Sequence, residues 1–313
     1  MHKPDLETFK NLGEETELVP VYREILADLD TPLTIFAKVA SHDSHAFLFE
    51  SLEGGEKWGR YSFIGIDPLL TFTSSRDKME IRRGDTVETR TGNPLKELRN
   101  LLASFKAHQA ESLPRFFGGL VGYLGYDMVK FMEKLPDIHE PLDLPDSSFM
   151  VPRTVLIHDS FKQKLVIVNC VELKEGDDPV ALYEKACSQI DEVAKRLKEP
   201  LPYKFVESPP GDHQNEISSN MDETSFKKML ETAKEYILAG DIIQVVLSQR
   251  FHTETYLPPF ALYRALRHIN PSPYLFYLQL GNVIQIGSSP EILVRLENNE
   301  IELRPIAGTR HRG

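Results

Sequence analysis

This sequence is short of cysteine and of positive charge. Its only cysteines are Cys170 and Cys187. They form no CxxC pair and have no histidine nearby at ligand spacing, which argues against structural zinc. Such sparse use fits a reducing compartment. Against 47 Asp and Glu stand 36 Lys and Arg, a formal net charge of −11. A general nucleic-acid binder needs a basic face to displace counterions, so that class is disfavoured. Long apolar runs are missing too. None approaches the ~18 residues of a membrane span, and the opening MHKPDLETFKNLGEETELVP lacks the apolar centre of a signal peptide. We therefore expect a soluble, cytoplasmic protein.

What is present suits a globular chain: 41% of residues are hydrophobic and 27% charged, enough for a full core. A length of 313 residues allows one large domain or two ordinary ones. Short helices are expected around PDLETFKNL and PVYREILADL, followed by strand-like runs LTIFAKVA, HAFLFES, RYSFIGI, LLTFTSS and KMEIRRGD. Asn93-Pro94 and Asp178-Pro179 each open a helix with a cap residue and a proline at the first helical position. RTVLIHDSFKQKLVIVNCVEL reads as a hairpin. Residues 199–221, with four prolines and few apolar anchors, read as a linker. Beyond it, Asp222 or Thr224 caps a helix that Gly240 stops. DIIQVVLSQRFHTET then reads as a strand and PFALYRALRHIN as a helix. Two hairpins follow, turning at Gly281-Asn282 and Asn298-Asn299. Strands in runs mixed with helices, without strict βαβ alternation, predict a layered α+β architecture. The expected division is residues 1–198, the linker 199–221, and 222–313.

Two glycine-bearing stretches invite a chemical reading. In FFGGLVGYLGYD the spacing is not G-x-G-x-x-G, so a buried strand with close backbone approach is expected rather than a nucleotide loop. RPIAGTRHRG, residues 304–313, follows a strand and carries three arginines and a histidine. Gly308 lets its amide approach a ligand oxygen, Thr309 adds donors, and Arg310 and Arg312 can neutralise a carboxylate or phosphate. Composition alone favours a solvated basic turn with no ligand.

The company this loop keeps decides between them. FLFESLEGGEKWGRYSFIGIDP, GGLVGYLGYD, GDIIQVVLSQRF, NPSPYLFYL, SSPEILVR and RPIAGTRHRG occur in the order seen in chorismate-utilising enzymes. Together they resemble most closely the large, chorismate-binding subunits of anthranilate synthase, from about Thr31 to Gly313. The resemblance implies antiparallel β-sheets flanked by helices, and a reaction in which ammonia adds to chorismate at carbon 2, the carbon-4 hydroxyl leaves, and pyruvate is eliminated. Glu291, in SSPEILVR, matches the family's general acid, and Gly308 and Thr309 match positions that bind a chorismate carboxylate. By itself, Glu291 would read as a strand-end surface carboxylate paired with Arg295. His311 stands where GTRRRG is more usual.

Two positions choose among the related activities. Water-adding relatives carry a lysine where this chain has Gln244; an amine can take a proton from water, an amide cannot. Ammonia needs orientation rather than activation, which Gln244 could supply. Aminodeoxychorismate synthases typically read PIKGT, with a lysine able to attack substrate; here Ala307 removes that nucleophile. A second constellation matches the family's tryptophan feedback site. Glu50 would pair with the ligand ammonium, Ser51 would hydrogen-bond it, and Pro273 with Tyr274 would wall an indole pocket. Leu275 stands where many members have methionine.

The resemblance further implies a glutamine amidotransferase partner that delivers ammonia, a hetero-oligomer, L-tryptophan as inhibitor, and a Mg²⁺ whose ligands are expected beyond residue 313. These residues therefore read as the front part of the enzyme subunit, expected to be inactive alone. Two rival readings are an aminodeoxychorismate synthase large subunit, disfavoured by Ala307, and a non-catalytic tryptophan-binding fragment.

Overall fold

The computed structural model describes residues 1–40, 43–51, 59–136, 142–202 and 216–306. The chain separates into two compact units, residues 1–204 with 262–313, and residues 205–261. This grouping differs from the division expected at 199–221. Residues 262–313 join the N-terminal unit because one of their strands hydrogen-bonds into its sheet.

The larger unit is built on a ten-stranded sheet. Its strands are β1 (Leu18–Leu26), β2 (His45–Glu50), β3 (Tyr61–Ser75), β4 (Lys78–Arg83), β5 (Thr86–Thr91), β6 (Val121–Leu124), β7 (Ser147–Asp159) and β8 (Lys164–Glu172). In the smaller unit lie the two-residue strands β9 (Ser218–Ser219) and β10 (Phe251–His252). β11 (Tyr274–Leu280) and β12 (Val283–Ser289) complete the large sheet, and β13 (Arg295–Glu297) and β14 (Glu300–Glu302) form a separate hairpin. The main order is β1-β8-β7-β3-β2-β11-β12, with β4 and β5 continuing from β3 and β6 pairing β7. Every pairing in this sheet is antiparallel. The α+β expectation holds.

The helices are α1 (Leu6–Glu15), α2 (Pro32–Val39), α3 (Pro94–Ala103), α4 (Pro179–Arg196), α5 (Glu223–Ala239) and α6 (Pro259–Ile269). α1, α2 and α4 pack on the sheet through Phe9, Ile35, Phe36, Ala186 and Ile190. A second core layer joins Leu98 and Leu101 of α3 to Phe72, Val155, Ile157 and Val168. β8 is thus buried on both sides, which explains its near-continuous apolar run.

Two local expectations are corrected. PVYREILADL is not a helix: its residues through Leu26 belong to β1, in register with β8 from Leu18↔Glu172 to Leu26↔Lys164. LTIFAKVA is not a strand but most of α2. Thr31 accepts from Thr34 N–H in a reciprocal capping box, Pro32 opens the helix, and Ile35, Phe36 and Val39 form its buried face. Asn93, Asp178 and Asp222 cap α3, α4 and α5 as expected. Gly122 in β6 confirms the close approach foreseen there: a Cβ would stand 2.0 Å from the Ser148 carbonyl oxygen.

In the smaller unit, Gly240 closes α5 in the left-handed region, φ 83°. The strand expected over DIIQVVLSQRFHTET is corrected too. Only Phe251 and His252 pair, with Ser219 and Ser218. An apolar run becomes a strand only where a neighbouring backbone takes its hydrogen bonds. Among the described residues none does so for 241–249 in a strand ladder, and Ile243 is 97% exposed.

Candidate functional site

The pairing of β2 with β11 sets Leu275 opposite Glu50. Two segments more than two hundred residues apart in sequence therefore end side by side, each running out of its strand at the same edge. A cavity of about 410 Å³ opens there, within the range of small-molecule sites. Glu50, Ser51, Pro273, Tyr274 and Leu275 all line it. The other walls are Phe49, Tyr61, Phe63, Phe116 and Phe276, with Arg295 as the lining cation. Phe63 meets Phe116 edge to face, centroids 5.1 Å apart. Such a lining suits a flat apolar body bearing a polar end.

Arg295 belongs to β13, and its Nη2 donates to the Tyr274 hydroxyl at 3.2 Å while Nη1 lies 3.4 Å from Glu302. It thereby holds the β13–β14 hairpin beside the cavity. A ligand carboxylate would meet a guanidinium already fixed in place.

Glu50 lines the same cavity, yet its charge is already matched. Its side chain is 1% exposed. Oε2 accepts from the Tyr263 hydroxyl at 2.6 Å and from Arg267 Nε at 3.1 Å, and Oε1 accepts from Arg267 Nη2 at 3.2 Å. Each carboxylate oxygen has about two acceptor sites, so among the described residues Oε2 is filled and Oε1 keeps one. The expected pairing of Glu50 with a ligand ammonium would have to share Oε1 with Arg267. Burial and the adjacent Glu50 carboxylate both push the Tyr263 phenol far above its ordinary value, keeping it a donor. Tyr263 and Arg267 were not foreseen. Their i, i+4 spacing on α6 was the available signal: both reach one acceptor from one helix face.

Glu291 lies beyond β12, half-buried. The Ser289 hydroxyl ties the turn, donating to the Glu291 carbonyl at 3.1 Å and accepting its N–H at 3.3 Å. The Glu291 Oε1 accepts from Ile306 N–H at 2.8 Å. SSPEILVR is thus joined to the start of the RPIAGTRHRG loop, two motifs that sequence order alone left fifteen residues apart. Among the described residues, no hydrogen bond takes the other carboxylate oxygen. Ala307, Gly308 and Thr309 lie outside the described residues. Gln244 belongs to the smaller unit and is exposed there.

Among the described residues, no group of three or more His, Cys, Asp and Glu side chains could hold a metal ion. Nor is any described helix long and apolar enough to cross a membrane.

The profile of the chorismate binding enzyme family matches residues 45–313. The chain is 41% identical over 320 aligned residues to anthranilate synthase component 1 of Acetivibrio thermocellus, covering 100% of this chain and 64% of that protein. It is 43% identical over 312 residues to anthranilate synthase component 1 of Aquifex aeolicus, covering 98% and 62%. The crystal structure of anthranilate synthase component I from Streptococcus pneumoniae superposes with a TM-score of 0.62 at 29% identity, covering 79% of this chain and 55% of that one. The chain thus spans less than two thirds of the length of these relatives.

Proposed function

This chain belongs to the family of chorismate binding enzymes, and on that premise we propose that it acts in the large subunit of an anthranilate synthase, in the cytoplasm. The observation that carries this reading is identity of 41% and 43% across 100% and 98% of the chain to relatives of that name. In the reaction, chorismate and ammonia become anthranilate, pyruvate and water. Ammonia attacks ring carbon 2 while the carbon-4 hydroxyl departs, and loss of pyruvate restores aromaticity. Hydroxide is a poor leaving group. Glu291, whose Oε1 accepts the Ile306 N–H, has its second oxygen to carry the proton that converts it to water.

Gln244 orients ammonia, the methyl of Ala307 leaves no amine to compete with it, and Gly308 and Thr309 hold a substrate carboxylate. A glutamine amidotransferase supplies the ammonia in a hetero-oligomer. Mg²⁺ belongs to this reading; among the described residues no group of three or more His, Cys, Asp and Glu side chains could hold it. The test is product identification with chorismate, ammonia and Mg²⁺ on the protein extended to the length of its relatives. Anthranilate fluorescence is expected, with kcat falling at least about a hundredfold in Glu291→Gln. A 4-amino or hydrated product overturns the assignment. The 313-residue chain by itself is expected to show no turnover, and measured turnover would refute that part.

The cavity between β2 and β11 supports a regulatory role as well: it takes L-tryptophan, with the indole among the phenylalanine rings and the carboxylate at Arg295. Ser51→Phe should preserve catalysis in the extended protein and abolish inhibition. Inhibition unchanged by that substitution removes the cavity from the account.

A further inference from the structure

A second cavity, of about 220 Å³, is lined by none of the candidate-site residues and lies between α4 and the strands β3, β4, β7 and β8. Five ionisable side chains line it: Arg83, Arg153, Lys174 and Lys185 against Glu172. Four cations face one anion here, in a chain whose net charge is −11. These cations are only partly neutralised. Arg83 and Lys174 share the single Glu172 carboxylate, at 3.4 and 3.3 Å. Arg153 meets Asp67 through Nε at 3.1 Å, and among the described residues no hydrogen bond takes the outer edge of its guanidinium. Lys185 pairs with no acid among the described residues.

The wall beneath them is polar and ordered. Asn169, 2% exposed, gives its Nδ2 to Thr154 Oγ1 at 3.3 Å and to Gln189 Oε1 at 3.1 Å. That fixes the Gln189 carboxamide with its oxygen turned to Asn169, and among the described residues no acceptor takes its Nε2. Lys185 and Gln189 are four apart on α4 and so share a face. A cavity with this excess of donors recognises acceptors, and its volume is below the ~300–1,000 Å³ of drug-sized pockets.

We propose that this cavity is a binding site for a small metabolite bearing an oxyanion of charge two or more, a phosphoryl group or a polycarboxylate, held by Arg153, Lys185 and the Gln189 amide. Isothermal calorimetry and thermal unfolding of the 313-residue chain with sodium phosphate and with sodium citrate, each against sodium chloride of equal ionic strength, test it. At least one of the two should bind and raise the unfolding midpoint beyond the chloride control. Phosphate alone marks a phosphoryl ligand, citrate alone a polycarboxylate. Lys185→Glu should weaken binding at least tenfold while the far-ultraviolet circular dichroism of the free protein stays that of the wild type. Arg153→Gln should weaken it similarly. No effect beyond chloride, or equal binding by wild type and Lys185→Glu, overturns the proposal. Neither result bears on the chorismate reading.

Discussion

Arg267→Ala strips a guanidinium from a carboxylate that has almost no access to water. In the folded protein Glu50 receives two hydrogen bonds from Arg267, at 3.1 and 3.2 Å, and one from Tyr263 at 2.6 Å. Hydrogen bonds to charged groups contribute roughly 1.5–3 kcal/mol each, and breaking a buried ion pair from one side costs about 3–5 kcal/mol. Two features place this case at the lower end. The Tyr263 hydroxyl remains, and the Arg267 side chain is 29% exposed, so truncation opens a path for water. The expected loss is about 3 kcal/mol, read from urea unfolding followed by far-ultraviolet circular dichroism. Glu50→Gln should cost less, about 1–2 kcal/mol, because Arg267 can turn to solvent and the amide oxygen still accepts from Tyr263. Lys227→Ala is the control. Its pair with Glu223 is exposed on both sides, and such pairs contribute at most ~1 kcal/mol. If Arg267→Ala is no more destabilising than Lys227→Ala, the Glu50 clamp does not hold α6 to the sheet as described.

Gly122→Ala should destabilise by about 1–3 kcal/mol in the same assay, because the atom 2.0 Å from the new methyl is backbone, the Ser148 carbonyl oxygen, and cannot rotate away. Asn93 accepts from the N–H groups of Leu95 and Lys96, so Asn93→Ala should cost about 1 kcal/mol and Asn93→Gly a few tenths. Asp159 carries a pH dependence. Burial works to raise its carboxyl, but the hydrogen bonds from Arg60 and from the backbone of Lys162 and Phe161 prevail and hold it below its ordinary 3.8. A depressed folded value means stability present above the unfolded value and lost as pH falls through the folded one. Asp159→Asn should therefore be less stable than wild type above about pH 4. The gap should narrow as urea midpoints are measured at progressively lower pH, and a gap that widens in acid contradicts the assignment.

Local chemistry made some elements legible. Asn93-Pro94 and Asp178-Pro179 announced helices because a side-chain acceptor and a proline suit the first turn whatever packs against it later. The turns at Gly281 and at Asn298-Asn299 were legible for a similar reason, since the backbone there adopts positive φ. PVYREILADL and LTIFAKVA were misread because each is a short apolar run that fits either period. The Thr31-Pro32 signal was present for the second. For the first, the deciding fact was β8, which lies about 140 residues away and supplies the hydrogen bonds.

The sequence by itself determined the motifs, their order and the chemistry each can offer: an acid at Glu291, an amide at Gln244, a methyl at Ala307, and the polar pair Glu50-Ser51 with the Pro273-Tyr274 wall. Those are properties of side chains and need no partner. Tertiary structure alone decided what those groups meet. It placed Leu275 opposite Glu50 and turned Arg295 to Tyr274. It matched the Glu50 charge with Arg267 and tied Glu291 to Ile306. The physical reason is that a carboxylate's role is set by the donors and the water within a few ångströms of it, and in a sheet of distant strands those neighbours come from remote parts of the chain.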